Sequence, residues 1–338
     1  METTTTPVFH NNATAVSGQN NSDEYFETYL KLNTVALIID SLAFVLGVLE
    51  NGVVIWVIRF KMKKTVNTVW FLNLAVADFL FAAFLPFSMT YMALTHWPFS
   101  KFMCKLNSTI IYLSMFASVY ILVVISLDRC VSVVWPVWTQ NHRNVRRASC
   151  VSLGVWVLAL IFSTPYFIFR DTYVENITIC FENFALSDDY ETPSVIELGQ
   201  FRHQAMTITR FLLGFAVPFT VIVFSYAVII HRLRRNRTLA TQSNRPFKII
   251  AAIITTFLLC FGPFHITSLL DMVYFTDYFN GSETLSLVIA FSYPIATSLA
   301  FLNSCLNPLL YVFMSQDFKD KVHKSILSVF ETLFQTEE

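Results

Sequence analysis

A few ionisable residues stand where charge is costly, and they define the chemistry open to this chain. Asp78 closes the apolar run Leu72-Asn73-Leu74-Ala75-Val76-Ala77-Asp78, and Glu50 follows Val48-Leu49. Arg210 lies in Thr207-Ile208-Thr209-Arg210-Phe211, and Asp128-Arg129 ends a long apolar stretch. Such groups at apolar depth default to functional readings. Asn51, Ser118, Asn303, Ser304 and Asn307 fall at a depth similar to Asp78 in other apolar segments. Oxygen donors of this kind suit a small hard cation such as sodium, or a water cluster. A hydrogen-bonded network without an ion is the plainer alternative. Arg210 would attract an anionic group, above all a carboxylate. Its plainer alternatives are a guanidinium snorkelling out to water, or one paired with an acid of an external loop. Glu50 receives no role. His265 has no Ser or Asp partner close in sequence and no G-x-S-x-G occurs, so no enzyme is expected.

The elements that must hold these groups are apolar and long. Of the 338 residues, 55% are hydrophobic and 14% charged, with 34 Phe and 23 residues of each charge sign. An average soluble domain carries roughly a quarter charged residues. Disorder is excluded by the apolar content, and the zero net charge gives no pointer to nucleic acid. Seven stretches reach the roughly 20 residues that cross the hydrocarbon. They run over Thr34–Ile58, Val66–Leu94, Leu106–Val134, Ala148–Phe169, Phe211–Ile230, Ile249–Leu270 and Thr284–Met314. The expected class is an all-α membrane protein, a seven-helix bundle over 34–314 preceded by an external tail, 1–33.

Basic residues orient the bundle. Arg59 to Lys64, Arg129 with Arg143 to Arg147, and Arg232 to Lys248 fill the links after the first, third and fifth spans. The opposite links are acidic, through Asp171 to Glu197 and Asp271 to Glu283. The basic links are therefore cytosolic and the N-terminus external. Residues 1–30 contain no apolar h-region, so no signal peptide is expected. Asn12, Asn20, Asn176 and Asn280 begin N-x-[ST] triplets in external segments, as glycosylation requires. Cys104 and Cys180 both face the oxidising side and are expected to pair, while Cys130, Cys150, Cys260 and Cys305 remain thiols.

Pro86, Pro165, Pro218, Pro263 and Pro308 punctuate the spans and predict kinks or hinges. After the seventh span, Phe318, Val322, Ile326, Val329, Phe330 and Leu333 recur at helical spacing between lysines. That pattern predicts a short amphipathic helix against the inner leaflet over 315–338, in contact with membrane lipids.

Taken in order, Asn51, Leu74 to Asp78, Cys104 with Cys180, Asp128-Arg129-Cys130, Trp156, Pro218 with Tyr226, Phe261-Gly262-Pro263-Phe264 and Asn307-Pro308-Leu309-Leu310-Tyr311 resemble the rhodopsin-like (class A) G-protein-coupled receptors. Each motif alone is weak; their joint order is specific. The resemblance covers about residues 30–334. Phe60 to Asn67, Trp70 to Phe81 and Pro136 to Arg143 look like the chemerin receptors of the chemoattractant branch, and the formyl-peptide receptors share Pro136 to Arg143. Glu50-Asn51-Gly52, Met115 to Ser118 and Phe169 to Thr172 are similar to the chemoattractant-type prostaglandin D receptors.

The resemblance implies a plasma-membrane receptor for an extracellular ligand with a carboxylate end, a chemerin-like peptide first and an acidic lipid such as prostaglandin D second. It implies coupling to a heterotrimeric G protein of the Gi class, in leukocyte migration or inflammation. Tyr91, Trp97, Asn107, Tyr112, Arg170, Arg210, Phe264, Asp271 and Tyr293 would surround the ligand. Asp128, Arg129, Tyr226, Phe261, Pro263, Asn307, Pro308 and Tyr311 would form the activation switch. Asp78, Ser118, Asn303 and Asn307 resemble the sodium site. Three departures stand out. Cys130 replaces the usual Tyr, Phe261 replaces the usual Trp, and Thr241 to Lys248 offers no acid to Arg129. The inactive state is therefore expected to rest on Asp128 and packing. Few hydroxyls near the end imply that arrestin coupling is weak or uses Thr241 and Ser243. A decoy receptor without signalling is the nearest alternative. A secondary transporter would show repeated halves, which are absent. A photoreceptor would need a Lys in the seventh span, which has none.

Overall fold

The computed structural model describes residues 19–187, 192–235, 245–276 and 283–314. Its helices are α1 (Gln19–Lys61), α2 (Val66–Leu94), α3 (Lys101–Val134), the short α4 (Pro136–His142) and α5 (Val145–Phe169). A β1–β2 hairpin (Arg170–Val174 and Thr178–Glu182) leads to α6 (Pro193–Phe211). A π-helical turn, Leu212–Ala216, joins α6 to α7 (Val217–Arg235), and α8 (Arg245–Thr276) and α9 (Glu283–Met314) follow. Seven helical segments are long and apolar enough to cross a membrane, with α6, the π turn and α7 forming one continuous fifth span.

Local sequence sets the boundaries. Thr65 caps α2 in a reciprocal box with Thr68. Ser100 accepts from Met103 N to start α3, and Asn144 accepts from Arg147 N to start α5. Pro193 begins α6, where its missing N–H costs nothing. Val217 N–H reaches Leu212 O, five residues back, immediately before Pro218, which has no N–H to give.

Two helices overrun the apolar runs that predict them. α1 begins at Gln19, inside the expected tail, and the fifth span begins at Pro193 rather than Phe211. Hydropathy sees only the part of a helix in hydrocarbon. Beyond it, polar side chains face water while the backbone stays internally bonded.

α3 packs against α2, α5 and α7, and α1 lies against α2 and α9. The main core cluster joins Val57, Leu74, Val119, Ile222, Phe257 and Phe261 from different spans. Leu49, Leu153, Leu160, Phe224 and Leu259 are exposed instead. Apolar side chains on the outer faces of a bundle this long match lipid as the surrounding solvent.

The expected disulfide forms between Cys104 and Cys180, with Cα atoms 5.9 Å apart, and ties β2 to the outer end of α3. The other four cysteines are thiols. Pro86, Pro165, Pro263 and Pro308 lie within helices as expected, and Pro294 joins them in α9. Asn176 is exposed between the hairpin strands. Asn12, Asn280, Thr241, Ser243 and the amphipathic segment 315–338 lie outside the described residues, as do the side chains of Asn20 and Tyr311.

Candidate ligand site and cytosolic switch

Arg210 is the penultimate residue of α6, and its helix continues outward for several turns before it. It therefore sits inside the bundle, 8% exposed, and does not snorkel. Its Nη1 donates to Tyr112 Oη at 2.8 Å. The guanidinium carbon lies 5.7 Å from the Tyr112 ring centroid and 5.4 Å from that of Phe264. Tyr112 in turn stacks on Tyr166 at 3.4 Å. Three aromatic side chains thus hold one cation, and its Nε has no partner.

The acids expected near it are engaged elsewhere. Glu182 pairs with Arg170 at 3.5 Å, and Asp271 faces His203 at 3.8 Å. Among the described residues no carboxylate pairs with Arg210. An arginine desolvated among aromatic rings, with Glu182 and Asp271 only in electrostatic range and no carboxylate bonded to it, is poised for an anion.

The predicted ligand residues divide into groups. Arg210, Tyr112 and Phe264 touch, and Tyr293 of α9 lies within electrostatic range of the same guanidinium. Arg170 stands in an ion pair with Glu182, and Asp271 lies beside the His203 imidazole. Asn107 donates to Ser88 Oγ at 3.0 Å and is buried. Trp97 packs on Cys104 and Cys180, its Nε1 donating to Ser100 O at 3.1 Å and its backbone N to Thr178 O at 2.7 Å. Trp97 is a strut under the hairpin, edge-on to Tyr91 at 5.7 Å, and not part of the Arg210 group. Sequence reasoning missed Tyr166, His203, Glu182 and His265. Only His265 had a signal, as an ionisable group next to Phe264 within an apolar span.

Deeper in the bundle, Asp78 is 1% exposed. Asn307 Nδ2 donates to Asp78 Oδ2 at 2.8 Å and to Ser118 Oγ at 3.2 Å. The Ser304 hydroxyl also reaches Asp78. Asn51 Nδ2 donates to Gly47 O and Ser304 O, linking α1 to α9. Asn303, one turn before Asn307, is buried too. The amide oxygens of Asn51 and Asn307 are buried without partners.

At the cytosolic end Asp128 makes no ion pair with Arg129 among the described residues, although its charge acts on the Arg129 guanidinium. Arg143, which follows α4, donates from Nε to Asp128 Oδ1 and from Nη2 to Oδ2, each at 2.9 Å. The same Nη2 reaches Asn67 Oδ1 of α2. Asp128 points to this loop and away from its sequence neighbour, because successive residues on a helix face different directions. Arg129 lies within electrostatic range of Tyr226. Phe261 packs on Phe257 at 5.1 Å in an aromatic stack that includes Phe215 and Phe219.

Seven spans, an external disulfide-tied hairpin and a basic inner face define a multi-pass membrane receptor. The chain belongs to the rhodopsin family of seven-transmembrane receptors, whose family model matches residues 50–311. It is similar to the chemerin-like receptor 1 of Homo sapiens, at 48% identity over 84% of this chain and 75% of that protein. The C3a anaphylatoxin chemotactic receptor of Danio rerio is 42% identical over 91% of this chain and 79% of its own length. The N-formyl peptide receptor 3 of Pan troglodytes is 39% identical over 86% and 83%. The chain is thus a chemoattractant-class receptor of the plasma membrane, a signalling protein and not an enzyme. Membership implies an extracellular ligand and G-protein coupling.

Proposed function

We propose that this receptor binds an extracellular ligand through a carboxylate held at Arg210, and activates a Gi-class G protein in leukocyte migration or inflammation. The observation that carries the reading is the buried guanidinium among Tyr112, Tyr166 and Phe264, bonded to no carboxylate among the described residues. A charge-assisted bond to a carboxylate there would be shielded from water and strong. Similarity to chemerin-like receptors makes a chemerin-like peptide the first ligand class. We further propose sodium at Asp78, with Ser118 Oγ and the unpartnered Asn307 amide oxygen completing an oxygen donor set.

Inhibition of cyclic AMP in cells expressing the receptor tests the reading. The probes are a chemerin C-terminal peptide, formylated peptides and prostaglandin D. The expected result is a response to the chemerin peptide that Arg210→Ala abolishes at unchanged surface expression. A response that survives Arg210→Ala overturns the carboxylate assignment. A response to prostaglandin D alone moves the ligand to the acidic lipids.

A further inference from the structure

His265 is 1% exposed, and neither ring nitrogen has a hydrogen-bond partner. Its neighbours are apolar: the rings of Phe211, Phe215 and Phe264 lie 6.2, 5.1 and 5.3 Å away. On α8 it follows Phe264, and it meets the fifth span at Gly214. A Cβ at Gly214 would lie 3.4 Å from Met115 Cε and 3.5 Å from both His265 Cε1 and Phe116 Cε1, so the imidazole packs close against the helix at this glycine. Gly214 stands four residues after Arg210, on the same helix face and about one turn deeper. Phe264 ties the two sites together, since its ring also carries the Arg210 guanidinium at 5.4 Å.

An imidazole with both nitrogens unsatisfied in an aromatic basket is costly to bury. A nearby ligand group offering an oxygen would relieve that cost. Arg210 is partly under-satisfied: it bonds to the Tyr112 and Tyr166 hydroxyls, whereas Nε has no partner. A carboxylate has two oxygens, one for each under-satisfied group. An ammonium would be repelled by Arg210.

We propose that His265 is a second recognition residue of the ligand site, donating a hydrogen bond to the anionic end that Arg210 neutralises. The inference rests on the carboxylate reading of Arg210. It adds a specificity element: acids whose carboxylate reaches below Tyr112 bind through both residues, and shorter ones through Arg210 alone.

The test uses the purified full-length receptor in lipid nanodiscs with ¹⁵N-labelled histidine. Phenylacetate is the probe and phenylacetamide its neutral control. Phenylacetate is expected to move the imidazole resonances of His265, assigned from their absence in His265→Phe. Phenylacetamide should leave them in place. His265→Phe should weaken phenylacetate binding about tenfold, the loss of one charge-assisted hydrogen bond, and His265→Gln should restore most of it. The proposal is overturned if phenylacetate binding requires Arg210 while the resonances stay fixed and His265→Phe binds as tightly as the unmodified receptor. It is also overturned if phenylacetate does not bind. Binding and a resonance shift that both survive Arg210→Ala would overturn the carboxylate reading while supporting a recognition role for His265. His265→Gln lacks the same resonances and gives the assignment where His265→Phe does not fold.

Discussion

Arg143 holds both carboxylate oxygens of Asp128 at 2.9 Å, taking the acid that stands beside Arg129 in sequence. A bidentate guanidinium–carboxylate pair is the strongest geometry this chemistry offers. Arg143 is also anchored to Asn67, so the cytosolic loop, α2 and α3 meet on one guanidinium. Arg129 keeps only the electrostatic pull of its neighbouring acid, with no ion pair to it.

Removing Arg143 should therefore quieten the receptor. In Arg143→Ala, Asp128 becomes available to Arg129 and restrains it from the G protein. A partly exposed pair of about 1 kcal/mol corresponds to roughly a fivefold fall in basal nucleotide exchange. Asp128→Asn should change basal exchange far less, since Asp128 makes no ion pair with Arg129 to begin with. Exchange on purified G protein in receptor membranes reads both. A rise in basal exchange in Arg143→Ala would show that the clamp restrains signalling.

Tyr112 fixes the guanidinium of Arg210 through its hydroxyl and carries it on its ring. Tyr112→Phe keeps the ring and its stack on Tyr166 but removes the acceptor. Losing one hydrogen bond to a buried charged donor costs about 1.5 kcal/mol. Potency of an acid-ended peptide agonist should fall roughly tenfold, and that of its C-terminal amide should not. Equal losses for acid and amide would mean that Tyr112 serves packing alone.

Trp97 should report on architecture and not on ligand charge. It is buried against the Cys104–Cys180 link and bonds to Ser100 and Thr178. Trp97→Ala should cost about 3–5 kcal/mol of local stability. The expected outcome is reduced surface expression and a lower melting temperature, with acid and amide agonists affected alike. A selective loss of acid-agonist potency at normal expression would instead place Trp97 at the ligand.

The spans, their order and the external disulfide were legible because lipid imposes a length and a polarity on every crossing helix. The depth of Arg210 was not. Apolarity begins at Phe211, so Arg210 read as a mouth residue, whereas the helix starts at Pro193 and carries it inside. The partner of Asp128 was not legible either. Arg143 lies fifteen residues away in a loop whose path depends on α4. The π turn before Pro218 left no periodicity to read. Asp78, by contrast, announced itself, and the structure brings Ser118 and Asn307 to it as expected.

That network supplies the last prediction. Asp78, Ser118 and Asn307 converge from three spans, and the Asn307 amide oxygen has no partner. A buried carboxylate in this setting is stabilised when a cation binds it, and a cation that binds one conformation stabilises that conformation by mass action. Raising sodium against an N-methylglucamine background at constant ionic strength should therefore raise the melting temperature of the agonist-free receptor. Each tenfold rise in sodium above its dissociation constant adds about 1.4 kcal/mol. Asp78→Asn removes the charge but keeps the shape and a hydrogen-bonding amide. It should abolish the sodium response, and Ser118→Ala should weaken it. Because the network bridges α2, α3 and α9, the same ion should lower agonist affinity if activation separates these helices, and Asp78→Asn should erase that effect as well. A melting temperature that ignores sodium in the unmodified receptor would leave Asp78 as the acceptor of a purely hydrogen-bonded network.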